Sequence, residues 1–303
     1  MICQKIKTFL YRCIARILRP TSFDTLYLRS LYRYIMGCHI DLQTPNTFTE
    51  KIQWLKLYNR NPLYHTLVDK QEVKEYVANK IGSQYIIPSL GVWDSPEEID
   101  WDKLPSQFVL KTTHYGGGEG IVICRNKEII DKEKIKQVLK KTLTMSLYPY
   151  HREWPYKGLK PRILAEKYME DHGHGTNKDL IDYKFYCFNG EPIYCQVISG
   201  RGNYKVIDFF DMDWNLMPFT GLSSNAIHSD VALSKPDNLI DMKEIAKKLS
   251  QNIPFVRIDL YLIDGKIYFG EITFFPNSGF GTFTPSEWNY KIGSLLKLPA
   301  KKC

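Results

Sequence analysis

The stretch Phe108-Val-Leu-Lys111-Thr-Thr-His114-Tyr-Gly116-Gly117-Gly118-Glu-Gly120 runs from an apolar strand-like segment through one lysine into a glycine-rich turn. Glycines let backbone N–H groups approach phosphate oxygens closely, and the lysine adds a point charge. No Gly-Lys-Ser/Thr follows, so this is not a Walker A loop. A strand pattern rather than a helix comes next, which excludes a dinucleotide-binding turn. A glycine-rich hairpin without a ligand has the same composition, so the stretch alone does not decide between the two.

A second constellation is Val256-Arg257-Ile258-Asp259, followed by Gly270-Glu271-Ile-Thr273-Phe-Phe-Pro276-Asn277. Arg257 and Asp259 project from one face of a strand. The Asp264-Gly265 turn sends the chain back antiparallel. A strict two-residue turn sets Asp259 opposite Gly270 and puts Glu271 on the other face. A three-residue loop with a bulge sets Asp259 opposite Glu271. In the second register, two carboxylates and an arginine share one place inside apolar strands, which is costly without partners. A hard dication such as Mg²⁺ bound to nucleotide phosphates satisfies them. An internal Arg–Asp ion pair is the purely structural alternative. A third stretch, Ile163-Leu-Ala-Glu166-Lys167-Tyr168-Met169-Glu170-Asp171, is a strand ending in acids. It offers acceptors to an adenine amino group and a ribose, or is a plain exposed strand end.

The elements around these residues follow from periodicity and punctuation. Thr47-Phe-Thr-Glu50 predicts a capping box opening a helix through Tyr58, and a further helix is expected from about Leu67 to Lys80. Helical spacing returns at Lys132–Met145, Ile240–Leu249 and Ser286–Leu296. Strands are expected at Tyr85–Ile87, Gln107–Thr112, Ile121–Arg125, Arg162–Met169, Asp182–Phe188, Pro192–Ser199, Val206–Asp211, Val256–Ile263 and Lys266–Phe274. Asn189-Gly190 and Asp264-Gly265 predict tight hairpins. Hairpin-linked strands with short helices imply α+β lobes rather than a doubly wound parallel sheet. The expected division is a helical N-terminal region over residues 1–66, a lobe carrying the glycine loop over 67–165, and a lobe carrying the metal residues over 166–303.

The net charge of +8 suits an anionic ligand such as a nucleotide, an acidic sugar or a lipid surface. No basic stretch interleaved with aromatics marks a nucleic-acid face, so nucleic acid is not expected as a partner. Seven cysteines without CxxC spacing suit the reducing cytosol. Residues 2–19 carry five basic side chains and no acid, and their apolar residues share one helical face. That pattern fits either a helix lying peripherally on the anionic inner face of a membrane or one packed on its own domain. Asp211-Met-Asp213 imitates the DxD of glycosyltransferases, and His172-Gly-His174 imitates a zinc pair without further ligands at zinc spacing.

Taken in order, Asp69-Lys70, Phe108–Lys111 with its glycine loop, Glu166–Met169, Arg257-Ile-Asp259 and Glu271 resemble the ATP-grasp superfamily, which includes D-alanine–D-alanine ligases. Thr47–Leu55, Leu104–Lys111, Asp182-Tyr-Lys184-Phe and Arg257-Ile-Asp259-Leu sharpen the resemblance to TupA-like ATP-grasp proteins, associated with teichuronopeptide and capsular-polysaccharide biosynthesis. The resemblance implies an ATP-grasp fold and a carboxylate–amine ligase using ATP and Mg²⁺. It implies that Lys70 and Lys111 hold the α- and β-phosphates, and that Gly116, Gly117, Gly118 and Gly120 cover the triphosphate. Glu166 and the backbone at Met169 are implied for adenine, with Glu170 or Asp171 near the ribose, and Lys184 goes with the nucleotide set. Arg257 is implied for the γ-phosphate, and Asp259 and Glu271 for Mg²⁺. Thr273 stands where the superfamily has asparagine, so Thr273 or Asn277 is the expected third metal ligand. The implied acceptor is a carboxylate such as a uronic acid of a surface polysaccharide or lipid-linked sugar, and the amine an amino acid. A kinase-like transfer, a glycosyltransferase and a non-catalytic nucleotide-binding module are the rival functions.

Overall fold

A computed structural model describes residues 17–18, 20–116, 118–172, 180–199, 206–222 and 233–301. Among the described residues the first helices are α1 (Asp24–Met36), α2 (Phe48–Tyr58), α3 (Leu63–Val68) and α4 (Glu72–Ile81). Strands β1 (Ser89–Trp93), β2 (Phe108–Thr112) and β3 (Ile121–Cys124) follow, then α5 (Lys132–Leu143), α6 (Tyr148–His151) and β4 (Ile163–Lys167). The last part holds β5 (Asp182–Phe188), β6 (Glu191–Ser199), β7 (Val206–Asp211), β8 (Thr220–Gly221), α7 (Leu239–Ser250), β9 (Phe255–Ile263), β10 (Lys266–Thr273), β11 (Phe283–Thr284) and α8 (Trp288–Leu295).

Two antiparallel sheets carry the site. One has the order β1-β4-β2-β3 and the other β10-β9-β5-β6-β7; β8 and β11 form a short third pair. The two predicted hairpin turns, Asn189-Gly190 and Asp264-Gly265, both take left-handed φ, at 52° and 86° and at 48° and 75°. That is the turn whose twist matches antiparallel strands. The predicted capping box is present: Glu50 N–H donates to Thr47 Oγ1 at 3.2 Å, and Thr47 N–H to Glu50 Oε2 at 3.1 Å.

Two local expectations are corrected. The helix expected over Leu67–Lys80 is split, because the Asp69 carboxylate accepts from the N–H groups of Gln71 (2.9 Å) and Glu72 (3.0 Å) and caps a new helix there. The strand expected at Tyr85–Ile87 is a tight turn over Ser83–Tyr85, and pairing begins only at Ser89, beyond Pro88. A proline has no N–H to give to a ladder.

The larger apolar core lies between the five-stranded sheet, α7 and the N-terminal helices, where Leu28, Phe48 and Ile52 meet Phe255 and Ile258. It is continuous across residues 66–67, since Leu67 and Val68 share it. A smaller core under α5, with Phe108, Leu110, Leu139 and Ile163, belongs to the four-stranded sheet. Cys187 and Cys195 are buried free thiols in the larger core, as their strand positions suggested.

Candidate functional site

Register places the charged groups of the five-stranded sheet in rows. Lys184 on β5 pairs with Asp259 on β9, which pairs with Glu271 on β10. Beside them Tyr186 pairs with Arg257, and Arg257 with Thr273. Directly opposed residues on one face are in side-chain contact. The turn is the strict two-residue one, Ile263 facing Lys266, yet Asp259 still faces Glu271. The extra residue is a bulge at Gly270, four residues beyond the first ladder pair on that strand. Neither form of turn weighed from the sequence describes it, although the metal-compatible register is the one formed. A side chain at Gly270 would sit 3.0 Å from the Asp259 carbonyl, so the bulge favours glycine.

Arg257 ties the group together. Its Nε donates to Asp259 Oδ1 at 2.6 Å, and its Nη2 donates to Asp259 Oδ2 (2.7 Å), Glu271 Oε1 (2.8 Å) and Thr273 Oγ1 (3.0 Å). Thr273 Oγ1 in turn donates to Glu271 Oε1 at 3.1 Å. Lys184 Nζ pairs with Asp259 Oδ2. Asp259 is buried, while the Glu271 side chain is 44% exposed. Burial raises the Glu271 carboxyl pKa, but Arg257, Lys184 and Lys70 together pull it down to about 2. The Glu271 carboxylate is therefore charged at neutral pH.

The four-stranded sheet supplies a second charged group. Lys111 faces Leu164 on β4, and Glu166, two residues on, is its diagonal neighbour. Glu166 is buried and held by Lys74 at 2.6 Å and by Lys111. Burial works against its ionisation, but Lys111 and Lys74 lower its pKa below the usual carboxylate range. Lys74 also donates to the Ile87 carbonyl (2.8 Å) and to Ser89 Oγ (2.9 Å). Lys70 leaves the break before α4, and its Nζ donates to the Tyr115 carbonyl at the start of the glycine loop. Burial lowers its pKa, and Glu271, Asp69 and Glu166 pull the other way. Lys70, Lys111 and Glu166 share a gap of about 10 Å³ with Phe269 and Gly270, so the two sheets face each other there. The space holds about one water molecule. A nucleotide base enters it only if the sheets part.

Met169 and Glu170 lie apart from that gap, in an open cleft of about 380 Å³ shared with Lys167, Tyr168 and Tyr268. Gly116 and Gly118 are described and Gly117 is not, so the role expected of it lies outside the described residues. A side chain on Gly116 would meet Leu147 at 3.1 Å and the Tyr156 hydroxyl at 3.7 Å. Gly120 takes φ +77°, and a Cβ there would lie 2.5 Å from Thr142. Asn277 has left-handed backbone (φ 47°), and its amide donates to the Leu222 carbonyl. Thr273 hydrogen-bonds Glu271, while the Asn277 amide is directed to Leu222. Two residues that no spacing singles out join the site: Lys74 beside Glu166, and Tyr156, a half-buried phenol in an aperiodic segment close to Glu271, Arg257 and Glu153.

Buried polar groups support the turn after β10. Lys56 Nζ donates to the carbonyls of His151 (2.9 Å) and Ser278 (2.7 Å), and Gln53 Nε2 to those of Ser278 (3.1 Å) and Gly279 (3.0 Å). Asn277 and Ser278 are non-glycine residues at positive φ, a strained arrangement that these bonds hold. Burial pushes the His151 pKa down to about 4, with Lys56 adding to the effect. A depressed histidine favours the neutral folded state above its unfolded value of about 6.5, and that contribution is lost as pH falls toward 4. Urea midpoints measured stepwise across that window are expected to fall with pH, and His151→Phe is expected to flatten the slope.

The alternative motifs resolve differently. Asp211 Oδ1 accepts from the N–H groups of Asp213 (2.9 Å) and Asn215 (2.8 Å), which makes the DxD-like pair a turn brace. His172 sits against Asp264 at 3.1 Å, and His174 lies outside the described residues. Among the described residues no group of three His, Cys, Asp or Glu assembles. Asp259 and Glu271, with the Thr273 hydroxyl, are an all-oxygen set with few protein ligands. That suits Mg²⁺, which keeps waters and phosphate oxygens in its shell.

Residues 50–297 match the sequence profile of the TupA-like ATPgrasp family, which covers most of the chain. The chain belongs to the TupA-like ATP-grasp family. Its two facing antiparallel sheets form an ATP-grasp fold of the α+β class. Solved structures similar to it include the D-alanine–D-alanine ligase of Bacillus anthracis complexed with ATP, at 14% identity and TM-score 0.38, covering 68% of this chain and 53% of that one. Another is the D-alanine–D-alanine ligase of Helicobacter pylori, at 12% identity and TM-score 0.42, covering 84% and 70%. A RimK domain ATP-grasp protein of Sphaerobacter thermophilus matches at 9% identity and TM-score 0.43, covering 79% and 70%. The family member described here spans about half the length of the Bacillus anthracis enzyme. No curated protein sequence matches it.

Proposed function

We propose that the protein uses ATP to activate a carboxylate and joins it to an amine. A carboxylate oxygen of the acceptor attacks the γ-phosphorus, the bond to the β-phosphate oxygen breaks, and ADP leaves. The amine then attacks the acyl phosphate carbonyl, loses a proton and expels inorganic phosphate, leaving an amide. Lys70 and Lys111 bind the α- and β-phosphates, and Arg257 steadies the γ-phosphate as charge builds on it. Lys184 belongs to the same cationic set. Glu166 and the backbone at Met169 orient the adenine, and Glu170 the ribose. Asp259, Glu271 and Thr273 would hold Mg²⁺, which when bound neutralises phosphate charge. The loop of Gly116, Gly117, Gly118 and Gly120 covers the triphosphate and keeps water from the acyl phosphate.

The observation that carries this reading is the placement of Lys184, Asp259, Glu271 and Arg257 on one sheet, opposite Lys70 and Lys111 at the other. The family suggests a uronic acid of a surface polysaccharide or lipid-linked sugar as acceptor, an amino acid as amine, and the inner face of the membrane as the place. Calorimetry with Mg²⁺ is expected to show binding of ATP and ADP and none of UDP-sugars. Selectivity for UDP-sugars would replace the ligase with a glycosyltransferase. Release of ADP and phosphate on addition of a uronic acid and an amine, with amide in the product, separates ligation from simple phosphorylation.

A further inference from the structure

Helix α1 buries Tyr27, Leu28, Leu31 and Tyr32 against the core and leaves Arg29 and Arg33 exposed. At 100° per residue Leu26, Arg29 and Arg33 share one stripe, with Phe23 on its flank. Leu26 is 53% exposed and Phe23 41%, and Ile17, just before the helix, is 72% exposed. The only acid of α1, Asp24, is buried and paired with Arg60 (2.7 Å) and Arg152 (2.9 Å). The outward face of α1 itself therefore carries apolar and cationic side chains and no acid, while the exposed Asp41 of the following loop lies near enough to Arg29 to feel its charge. In sequence, residues 2–19 carry five basic side chains and no acid; apart from residues 17 and 18, the helix expected there lies outside the described residues.

We propose that this face of α1 docks on a membrane of anionic lipid. The arginines pair with headgroup phosphates, while Leu26 and Phe23 enter the boundary between headgroups and acyl chains. The face is also joined to the mouth of the cleft. Tyr148 Oη donates to Asp24 Oδ2 at 2.6 Å and Tyr27 Oη to the Tyr150 carbonyl at 3.0 Å, which fixes α1 to α6. Leu147, at the start of α6, lies 3.1 Å from where a Cβ on Gly116 would stand. These bonds leave from the buried face of α1, so docking by the outward face fixes the orientation of α6 and the glycine loop relative to the bilayer. The proposal rests on the ligase reading for its purpose and is independent of it for its test.

The test is flotation of the full chain with phosphatidylcholine vesicles and with mixed phosphatidylcholine–phosphatidylglycerol vesicles. Binding is expected only to the mixed vesicles and is expected to fall with salt. The double variant Arg29→Gln/Arg33→Gln is expected to lower the partition coefficient roughly thirtyfold at low salt. Leu26→Glu is expected to weaken it further, with unfolding temperature and ATP turnover in solution unchanged for both. Equal binding to both vesicle types overturns the proposal, as does binding that neither variant changes. Self-association of the chain that Leu26→Glu abolishes, with flotation unaltered, would assign the face to a second copy. Flotation without any ATP-dependent ligation would remove the ligase reading and leave the docking surface standing.

Discussion

Glu271→Gln is expected to lower Mg²⁺-dependent turnover by about a thousandfold while leaving the thermal unfolding midpoint little changed. A carboxylate that would hold the phosphate-neutralising Mg²⁺ carries several kcal/mol of charge stabilisation through it, and about 4 kcal/mol is a thousandfold in rate. The stability expectation follows from position. The Glu271 side chain is 44% exposed, and Arg257 keeps its two bonds to Asp259, at 2.6 and 2.7 Å, when Glu271 is neutralised. Asp259→Asn is the poorer experiment: Asp259 is 2% exposed and serves both Arg257 and Lys184, so its loss leaves buried cations unbalanced. Acid titration gives a second check. The Glu271 pKa lies at about 2 in the fold, against an unfolded value of about 4.3. Its ionised form is therefore favoured by folding, and that stabilisation is present above the unfolded value and lost as pH falls toward 2. An acid limb in turnover between pH 5 and 7 must then come from another group. Initial rates of ADP release across a Mg²⁺ titration, paired with calorimetric unfolding, decide the matter. A Glu271→Gln enzyme within fivefold of the parent would reduce Glu271 to a counter-ion for Arg257.

The parts of this site that depend on local chemistry were readable from the chain, and those that depend on distant partners were not. Asp182–Phe188 and Val206–Asp211 form as strands at their predicted limits because β-branched and aromatic runs there end in turn residues. The Thr47–Glu50 box and both hairpin turns need only neighbouring residues. Turn length alone does not align Asp259 with Glu271; a bulge at Gly270 decides it. A glycine inside an otherwise apolar strand was the signal for it. The Asp69 cap was concealed because Leu67 to Lys80 keeps helical apolar spacing across the break. Glu166 and Lys74 are 92 positions apart in the chain, and the pairing of β4 with β1 sets Glu166 opposite Ser89, which Lys74 in the first turn of α4 also contacts. Tyr156 lies in a segment without periodicity, so no spacing argument reaches it.

Lys111→Ala is expected to weaken ATP binding by between about tenfold and a hundredfold and to leave adenosine binding unchanged. A hydrogen bond between charged partners contributes about 1.5–3 kcal/mol, and each 1.4 kcal/mol is tenfold in affinity. Adenosine has no phosphate to feel the lost charge. The fold is protected because Glu166, the partner that Lys111 leaves behind, keeps Lys74 at 2.6 Å. Lys74→Ala is the informative contrast. Lys74 is 9% exposed and also holds the Ile87 carbonyl and Ser89 Oγ, so its removal loosens β1 and strands Glu166 beside one cation. That variant should lose stability and weaken ATP and adenosine alike. Isothermal titration of both ligands against both variants, with unfolding midpoints recorded on the same preparations, separates the two lysines. If Lys111→Ala weakens ATP and adenosine equally, Lys111 is a structural partner of Glu166 and the phosphates belong to Lys70, Lys184 and Arg257.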